Sequence, residues 1–304
     1  MTSRRELPAA AESCGDIEAP AAEPTDAQFE ALRGVIRRTA GIHLGDSKKA
    51  LLRGRLARRL RELGLRSFGD YLRVVRADPD ERDAMIDRIT TNETSFFREP
   101  GHFAYLAETL LPAWQAAANA GTRRREVRMW SAGCSTGEEP YSLAMTLLDR
   151  LGPEQGWSVE ILATDVSTRV LEVAREATWP IDRAREIPQD LARKFMLRGF
   201  GTKAGVMRAA PELRRVVRVE RLNLSAEGYA VGAPFDVIFC RNVLIYFDAE
   251  QKERVVGRLA ACLATDGHLF VGHAESIRGP SALTCVRPTV YAAARTARSA
   301  KGAP

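Results

Sequence analysis

The 304-residue chain holds five cysteines (Cys14, Cys134, Cys240, Cys262, Cys285), an odd number, widely spaced and without a Cys-x-x-Cys pair. That argues against a disulfide framework and a zinc-ribbon site, and reduced thiols are expected. Histidine is as scarce, with four in the chain. His268 and His273 flank a late strand without a third ligand at metal spacing, so both read as structural and no metal is expected. No apolar run reaches the roughly 18 residues of a membrane span, and the N-terminus lacks the apolar core of a signal peptide. These absences predict a cytoplasmic protein without membrane insertion, and a monomer is expected. Residues 1–24 have almost no large apolar side chains, too few to offset the entropy of ordering, so a disordered tail is expected there. Residues 296–304 are read as a second tail.

What is present begins with 45% apolar residues, enough for a real core, in a length that suits two domains. Charge is unevenly placed. Residues 33–66 carry eleven Lys or Arg against two acids, a local net of +9, while the whole chain is only +6. Within that segment Leu52, Leu56, Leu60 and Leu63 repeat at helical spacing, and Arg53, Arg55, Arg58, Arg59 and Arg61 cover much of the remaining surface. A charge run usually marks a solvated face, but five arginines in nine positions with no acid favour a binding role. Nucleic acid, an anionic membrane surface and an acidic protein partner all fit that sign. Helical patterns on both sides of this segment predict a small all-helical domain over 25–90, followed by a polar, aromatic connecting segment over 91–101.

The stretch around which the chain is organised is VRMWSAGCSTGEEPY at 127–141. A β-prone run enters a glycine turn, and Glu138, Glu139 and Pro140 open a helix. Glycine lets a ligand lie against bare main chain. Two carboxylates in the first helical turn disfavour a triphosphate and suit a ligand carrying hydroxyls and positive charge, as S-adenosylmethionine does. An ordinary strand-to-helix turn whose acids complement the helix dipole accounts for the same residues. Further on, the strand 159–165 ends in Asp165, where doubly wound folds bind ribose hydroxyls, although a helix N-cap needs the same residue type. A buried-type strand over 235–240, a helix over 249–263 and a strand over 268–272 complete an alternating order. This predicts an α/β fold with a doubly wound, mostly parallel sheet. Residues 194–222 break the alternation and are expected to form a small antiparallel β insertion, with β-prone pieces at 205–208 and 216–219.

Four separated motifs now coincide: TTNETSFFRE at 90–99, WSAGCSTGEEPYSLAM at 130–145, ATD at 163–165 and FDVIFCRNVLIYF at 235–247. In this order they resemble the CheR-type chemotaxis protein methyltransferases, over roughly residues 25–293. The resemblance implies a class I S-adenosylmethionine-dependent methyltransferase domain over 102–295 and a receptor-binding helical domain over 25–90. It also implies a linker over the active site at 91–101. The implied reaction moves a methyl group from S-adenosylmethionine to glutamate side chains of chemoreceptors, giving a glutamyl methyl ester and S-adenosylhomocysteine. Carried over by motif, Asn92, Thr94, Arg98, Ala132, Gly133, Glu138, Asp165, Asn223, Leu224, Cys240, Arg241 and Asn242 are expected at the cofactor. Arg98 and Tyr246 are expected at the transfer itself. Of the paired acids, Glu138 is the one expected at the cofactor, with Glu139 favouring the helix start. Arg53, Arg55, Arg58 and Arg59 match in sign a helix that meets acidic receptor helices. Gly199, Gly201 and Gly205 resemble the turn of an insertion that binds a receptor's C-terminal pentapeptide tether.

Two other readings compete. The basic helix and a pI near 9.2 favour a nucleic-acid methyltransferase. Base amino-group methylation typically uses an Asn/Asp-Pro-Pro-aromatic turn, however, and this chain has Arg241-Asn242-Val243-Leu244 there. A non-catalytic module that binds cofactor or receptor is the third reading, against which the Arg98, Glu138, Asp165 and Tyr246 set weighs.

Overall fold

The computed structural model describes residues 23–232, 234–277 and 282–294. The tail expected over 1–24, apart from its last two residues, and that over 296–304 lie outside the described residues, as does Cys14.

Four helices come first: α1 (Asp26–Ala40), α2 (Lys49–Glu62), α3 (Phe68–Ala77) and α4 (Pro79–Ile89). Thr25 opens α1 with a capping box shared with Gln28, and Gly41 closes it at φ 71°. Asp78 caps α4 and Pro79 takes its first position, where a missing N–H costs nothing. Leu32, Ile36, Leu52, Leu56, Leu60, Tyr71 and Met85 fill the core between these helices. Leu63 lies outside that core, 37% exposed, because α2 ends at Glu62 and the leucine stripe stops one member short.

A polar stretch then leads through α5 (Pro100–Tyr105), a π-helical turn (Leu106–Leu110) and α6 (Leu111–Asn119) into the second domain. There β1 (Glu126–Ala132), α7 (Glu138–Arg150), β2 (Ser158–Asp165), α8 (Thr168–Glu176) and β3 (Thr178–Pro180) follow in order. Next come α9 (Gln189–Phe195), β4 (Met196–Arg198), β5 (Val206–Ala209), α10 (Pro211–Val216) and β6 (Val217–Arg221). The chain closes with β7 (Phe235–Cys240), α11 (Ala249–Ala261), β8 (Leu263–Val271), β9 (Leu283–Arg287) and β10 (Val290–Ala293).

The main sheet has seven strands in the order β6-β2-β1-β7-β8-β10-β9. Pairing is parallel from β6 to β8 and antiparallel through β10 and β9, so the mostly parallel, doubly wound reading holds. Successive connections run to opposite sides of β1, which leaves a crevice at the carboxyl ends of β1 and β7.

The small antiparallel sheet differs from expectation in its membership. Its order is β3-β5-β4, so it recruits Thr178–Pro180 from ahead of the expected segment. Residues 217–221, expected within it, instead form the parallel edge strand β6 of the main sheet. Local β propensity marks a strand without saying which edge it joins.

Candidate active site

Asp165, Ala132 and Cys240 end β2, β1 and β7 side by side, and the loops beyond them surround a cavity of about 340 Å³. Gly133 stands at φ 92°, and a Cβ there would come within 2.3 Å of Val243, so the first loop presses against the turn after β7. Ser135 also has positive φ, at 49°. Its N–H donates to Asp165 Oδ2 at 3.0 Å and its hydroxyl to the Asn92 carbonyl at 3.0 Å. One serine thus ties the glycine turn to the end of β2 and to the linker.

Asp165 accepts a second main-chain bond from Ser167 N at 3.0 Å, while Ser167 itself caps α8. The carboxylate therefore serves the turn while also lining the cavity. Burial pushes its pKa up, against the main-chain donors that lower it.

The linker forms the roof. Phe96 is buried, its ring edge-on to Trp179 with ring centres 5.0 Å apart, and Phe97, at φ 50°, packs with its ring centre 5.0 Å from that of Phe103. These anchors hold Asn92, Thr94 and Arg98 along the cavity. Arg98 donates to the Glu93 carbonyl at 3.0 Å. Asn223, Leu224, Arg241, Asn242 and Tyr246 line the remaining wall. The helical domain contributes Ile42, His43, Leu44 and Arg55, so the cavity is enclosed between the two domains.

The paired acids, of which Glu138 is the one expected at the cofactor, take different partners. Glu139 lines the cavity, accepting from Ser131 Oγ at 2.8 Å and pairing with Arg241 at 2.9 Å. Glu138 is not among the residues lining it and is bonded to Thr136 Oγ1 at 2.7 Å and Arg183 at 2.9 Å. Arg183 also donates to the Thr94 carbonyl at 2.7 Å, so Glu138 braces the linker rather than lining the cavity. Successive residues in a first helical turn point about 100° apart, and spacing alone does not tell which one faces inward. Burial raises the pKa of both acids, and Arg241 opposes the shift at Glu139.

Ala132 and Cys240 sit in the strands beneath the cavity, buried and outside its lining. Burial pushes the Cys134 and Cys240 thiols well above the usual range, which makes them core residues rather than nucleophiles. The arginines of α2 diverge. Arg59 is held by buried Glu81, Arg58 pairs with Glu62 at 3.0 Å, and Arg53 pairs with Glu23. Arg55 reaches the Ile89 carbonyl and Thr91 at the root of the linker. Gly199, Gly201 and Gly205 lie in the β4–β5 connection on the small sheet, apart from the cavity.

Sequence reasoning missed Glu99. It pairs with Arg241 at 3.1 Å and lies 3.4 Å from His102 and 3.8 Å from His273. Folding gathers these two histidines and the acid within 4.8 Å, a grouping that no sequence spacing reveals. The Arg241 guanidinium already answers the Glu99 charge. Burial, then Arg241, lowers the His102 pKa to about 4.

The cavity fits S-adenosylmethionine chemically. Gly133 lines it, the Asp165 oxygens can accept ribose hydroxyls, and Glu139 adds a second carboxylate to the wall that a cationic ligand would meet.

Comparison with known proteins agrees with this geometry. Residues 92–292 match the family described as CheR methyltransferase, SAM binding domain, and residues 27–90 match CheR methyltransferase, all-alpha domain. The chain is similar to chemotaxis protein methyltransferase 2 of Pseudomonas aeruginosa, at 40% identity over 89% of this chain and 94% of that one. It is also similar to the chemotaxis protein methyltransferase of Escherichia coli, at 44% identity over 83% and 85% of the respective chains.

Proposed function

Because the chain belongs to the CheR methyltransferase family, we propose that it methylates glutamate side chains on the cytoplasmic helical bundle of chemoreceptors. The products would be a glutamyl methyl ester and S-adenosylhomocysteine, and the place of work the cytoplasm. The observation that carries this reading is the composition of the cavity. The carboxylates Asp165 and Glu139 line it together with Arg98 and the linker residues 90–95.

S-adenosylmethionine, when bound, supplies an electrophilic methyl group on a positively charged sulfur. Asp165 would hold the ribose, Glu139 would balance the positive charge, and Asn92, Thr94, Asn223, Leu224 and Asn242 would fix orientation. The acceptor glutamate, whose side chain ordinarily titrates at about 4.3, is already a carboxylate at neutral pH, so no general base is required. Placement then does most of the work, since aligning nucleophile and methyl is worth roughly 7–11 kcal/mol. Arg98 orients the incoming carboxylate, and Tyr246 presents its ring at the same mouth. On the receptor side, Arg53 and Arg58 at the surface of α2 suit acidic helices. The β4–β5 connection is the proposed seat of a C-terminal tether.

The nucleic-acid reading would call for an Asn/Asp-Pro-Pro-aromatic turn after β7, where this chain has Arg241-Asn242-Val243-Leu244. Tritiated methyl transfer into receptor-containing membranes, with base-labile volatile methanol as the product signature, tests the proposal against RNA offered in parallel. Arg98→Ala should lower turnover at saturating cofactor and receptor by about 100-fold, the size of a general positioning or electrostatic effect. Label in RNA, or none anywhere despite cofactor binding, refutes the proposal.

A further inference from the structure

The turn that brings Asn242 and Tyr246 to the cavity is supported from behind by a residue with no part in the steps above. Glu275 lies in the loop after β8 and is only 3% exposed. Its Oε2 accepts from Asn242 N at 2.8 Å and from Gly272 N at 2.6 Å, and its Oε1 accepts from Ile245 N at 3.2 Å. Asn242 stands at φ 60°, a left-handed conformation that asparagine tolerates better than most residues, and the Glu275 carboxylate bonds to the main chain on it and three residues beyond. The packing leaves no slack. A Cβ on Gly272 would approach Asn242 Nδ2 to 2.7 Å and Glu275 Oε2 to 2.9 Å. On the far side of the turn, Val243 presses against Gly133.

We propose that Glu275 is a positioning residue for the methyl-donor site: its carboxylate clamps the 242–246 turn and so sets where Asn242 and Tyr246 meet the ligand. Glu275 does not line the cavity, whereas Asn242, Val243, Ile245 and Tyr246 do. Three main-chain donors converge on one side chain, and only a carboxylate accepts from all of them. A glutamine would turn its NH2 against one N–H, losing one bond while keeping the shape. The proposal rests on the reading of the cavity as the S-adenosylmethionine site.

The test is titration of full-length protein with S-adenosylhomocysteine, at a temperature where thermal melts show each variant to be folded. Glu275→Gln should raise the dissociation constant by about 10-fold or more, as expected for one lost charge-assisted bond. Gly272→Ala, which displaces the same turn with Glu275 intact, should weaken binding in the same direction and covers the case in which Glu275→Gln does not fold. A residue that only stabilises the fold would lower the melting temperature and leave affinity and turnover of the folded protein unchanged. Wild-type affinity in folded Glu275→Gln overturns the proposal, as does wild-type affinity in Gly272→Ala where Glu275→Gln does not fold. Failure of the functional reading shows separately, in the wild-type protein: binding of S-adenosylhomocysteine without receptor methylation removes the substrate assignment and leaves the affinity comparison intact. Absence of binding in the wild type removes both.

Discussion

At the scale of single residues, the two neighbouring acids make the sharpest contrast. Glu139 faces the cavity and Arg241, whereas Glu138 acts through Arg183 on the linker. Glu139→Gln should therefore raise the dissociation constant for S-adenosylhomocysteine by roughly 10-fold, the size of a charged hydrogen bond. Glu138→Gln should shift it less than about 3-fold and appear mainly as lowered stability, leaving Arg183 half-buried with a weakened partner. Equal affinities in the two variants, measured calorimetrically, would contradict the assignment. His102 gives a pH dependence. Its ring faces Glu99, His273 and Arg241, and burial first, then Arg241, holds its pKa at about 4 against 6.5 in the unfolded chain. A depressed pKa means that the unfolded state takes up the proton first. Stability from this residue is thus full above pH 6.5 and is lost as pH falls toward 4. Replacing His102 by Phe, which suits a pocket bordered by Phe239 and Phe270, should flatten the decline in unfolding free energy across that window. The difference in slope should approach about 1.4 kcal/mol per pH unit at most; parallel denaturation curves would refute it.

At the scale of elements, α2 shows what periodicity can and cannot carry. The leucine stripe was legible because Leu52, Leu56 and Leu60 recur at a helical interval and all reach the core. The fate of each arginine was not, since it depends on partners far along the chain. Arg59 is fixed by Glu81 on α4, which is 4% exposed and also accepts from Tyr71 at 2.9 Å. Arg58 makes a surface pair with Glu62 one turn away. Arg59→Ala strands a buried carboxylate and should destabilise the helical domain by about 2–3 kcal/mol. Arg58→Ala should cost no more than about 0.5 kcal/mol. Urea denaturation followed by circular dichroism separates them, and equal midpoints would mean that the Glu81 pair is not a stabilising contact. The same limit explains the small sheet: β propensity marked β5 and β6 but not β3, and β6 pairs with β2 through a contact that no local pattern encodes.

At the scale of the whole molecule, the alternating pattern showed the parallel sheet, the glycine turn and terminal acid carried their own residue signatures, and the other expected wall residues, Asn223 and Leu224 among them, came only through the resemblance of the four motifs. The sequence did not show that the helical domain closes the cavity. That closure depends on contacts between segments about two hundred residues apart: Asn223 Nδ2 donates to the Thr39 carbonyl at 2.6 Å, His43 N to the Tyr246 carbonyl at 2.7 Å, and Arg37 pairs with Asp248 at 2.8 Å. Gly41 sits at the centre of this junction, and Gly64 provides its control. Both follow a helix with left-handed backbone, φ 71° and 65°, so an alanine at either position incurs the same conformational strain of about 1 kcal/mol. They differ in surroundings. A Cβ on Gly41 would come within 2.5 Å of Ser225 Cβ and 3.2 Å of the Phe247 ring, whereas one on Gly64 meets nothing within 4 Å. Gly64→Ala should lower stability by that ~1 kcal/mol and leave cofactor affinity alone. Gly41→Ala should lose more, because the end of α1 must move off the methyltransferase domain, taking Ile42 and His43 away from the cavity. Its affinity for S-adenosylhomocysteine should fall several-fold. If the two alanine variants match in both thermal stability and affinity, the helical domain does not help to hold the ligand, and the cavity belongs to the sheet domain alone.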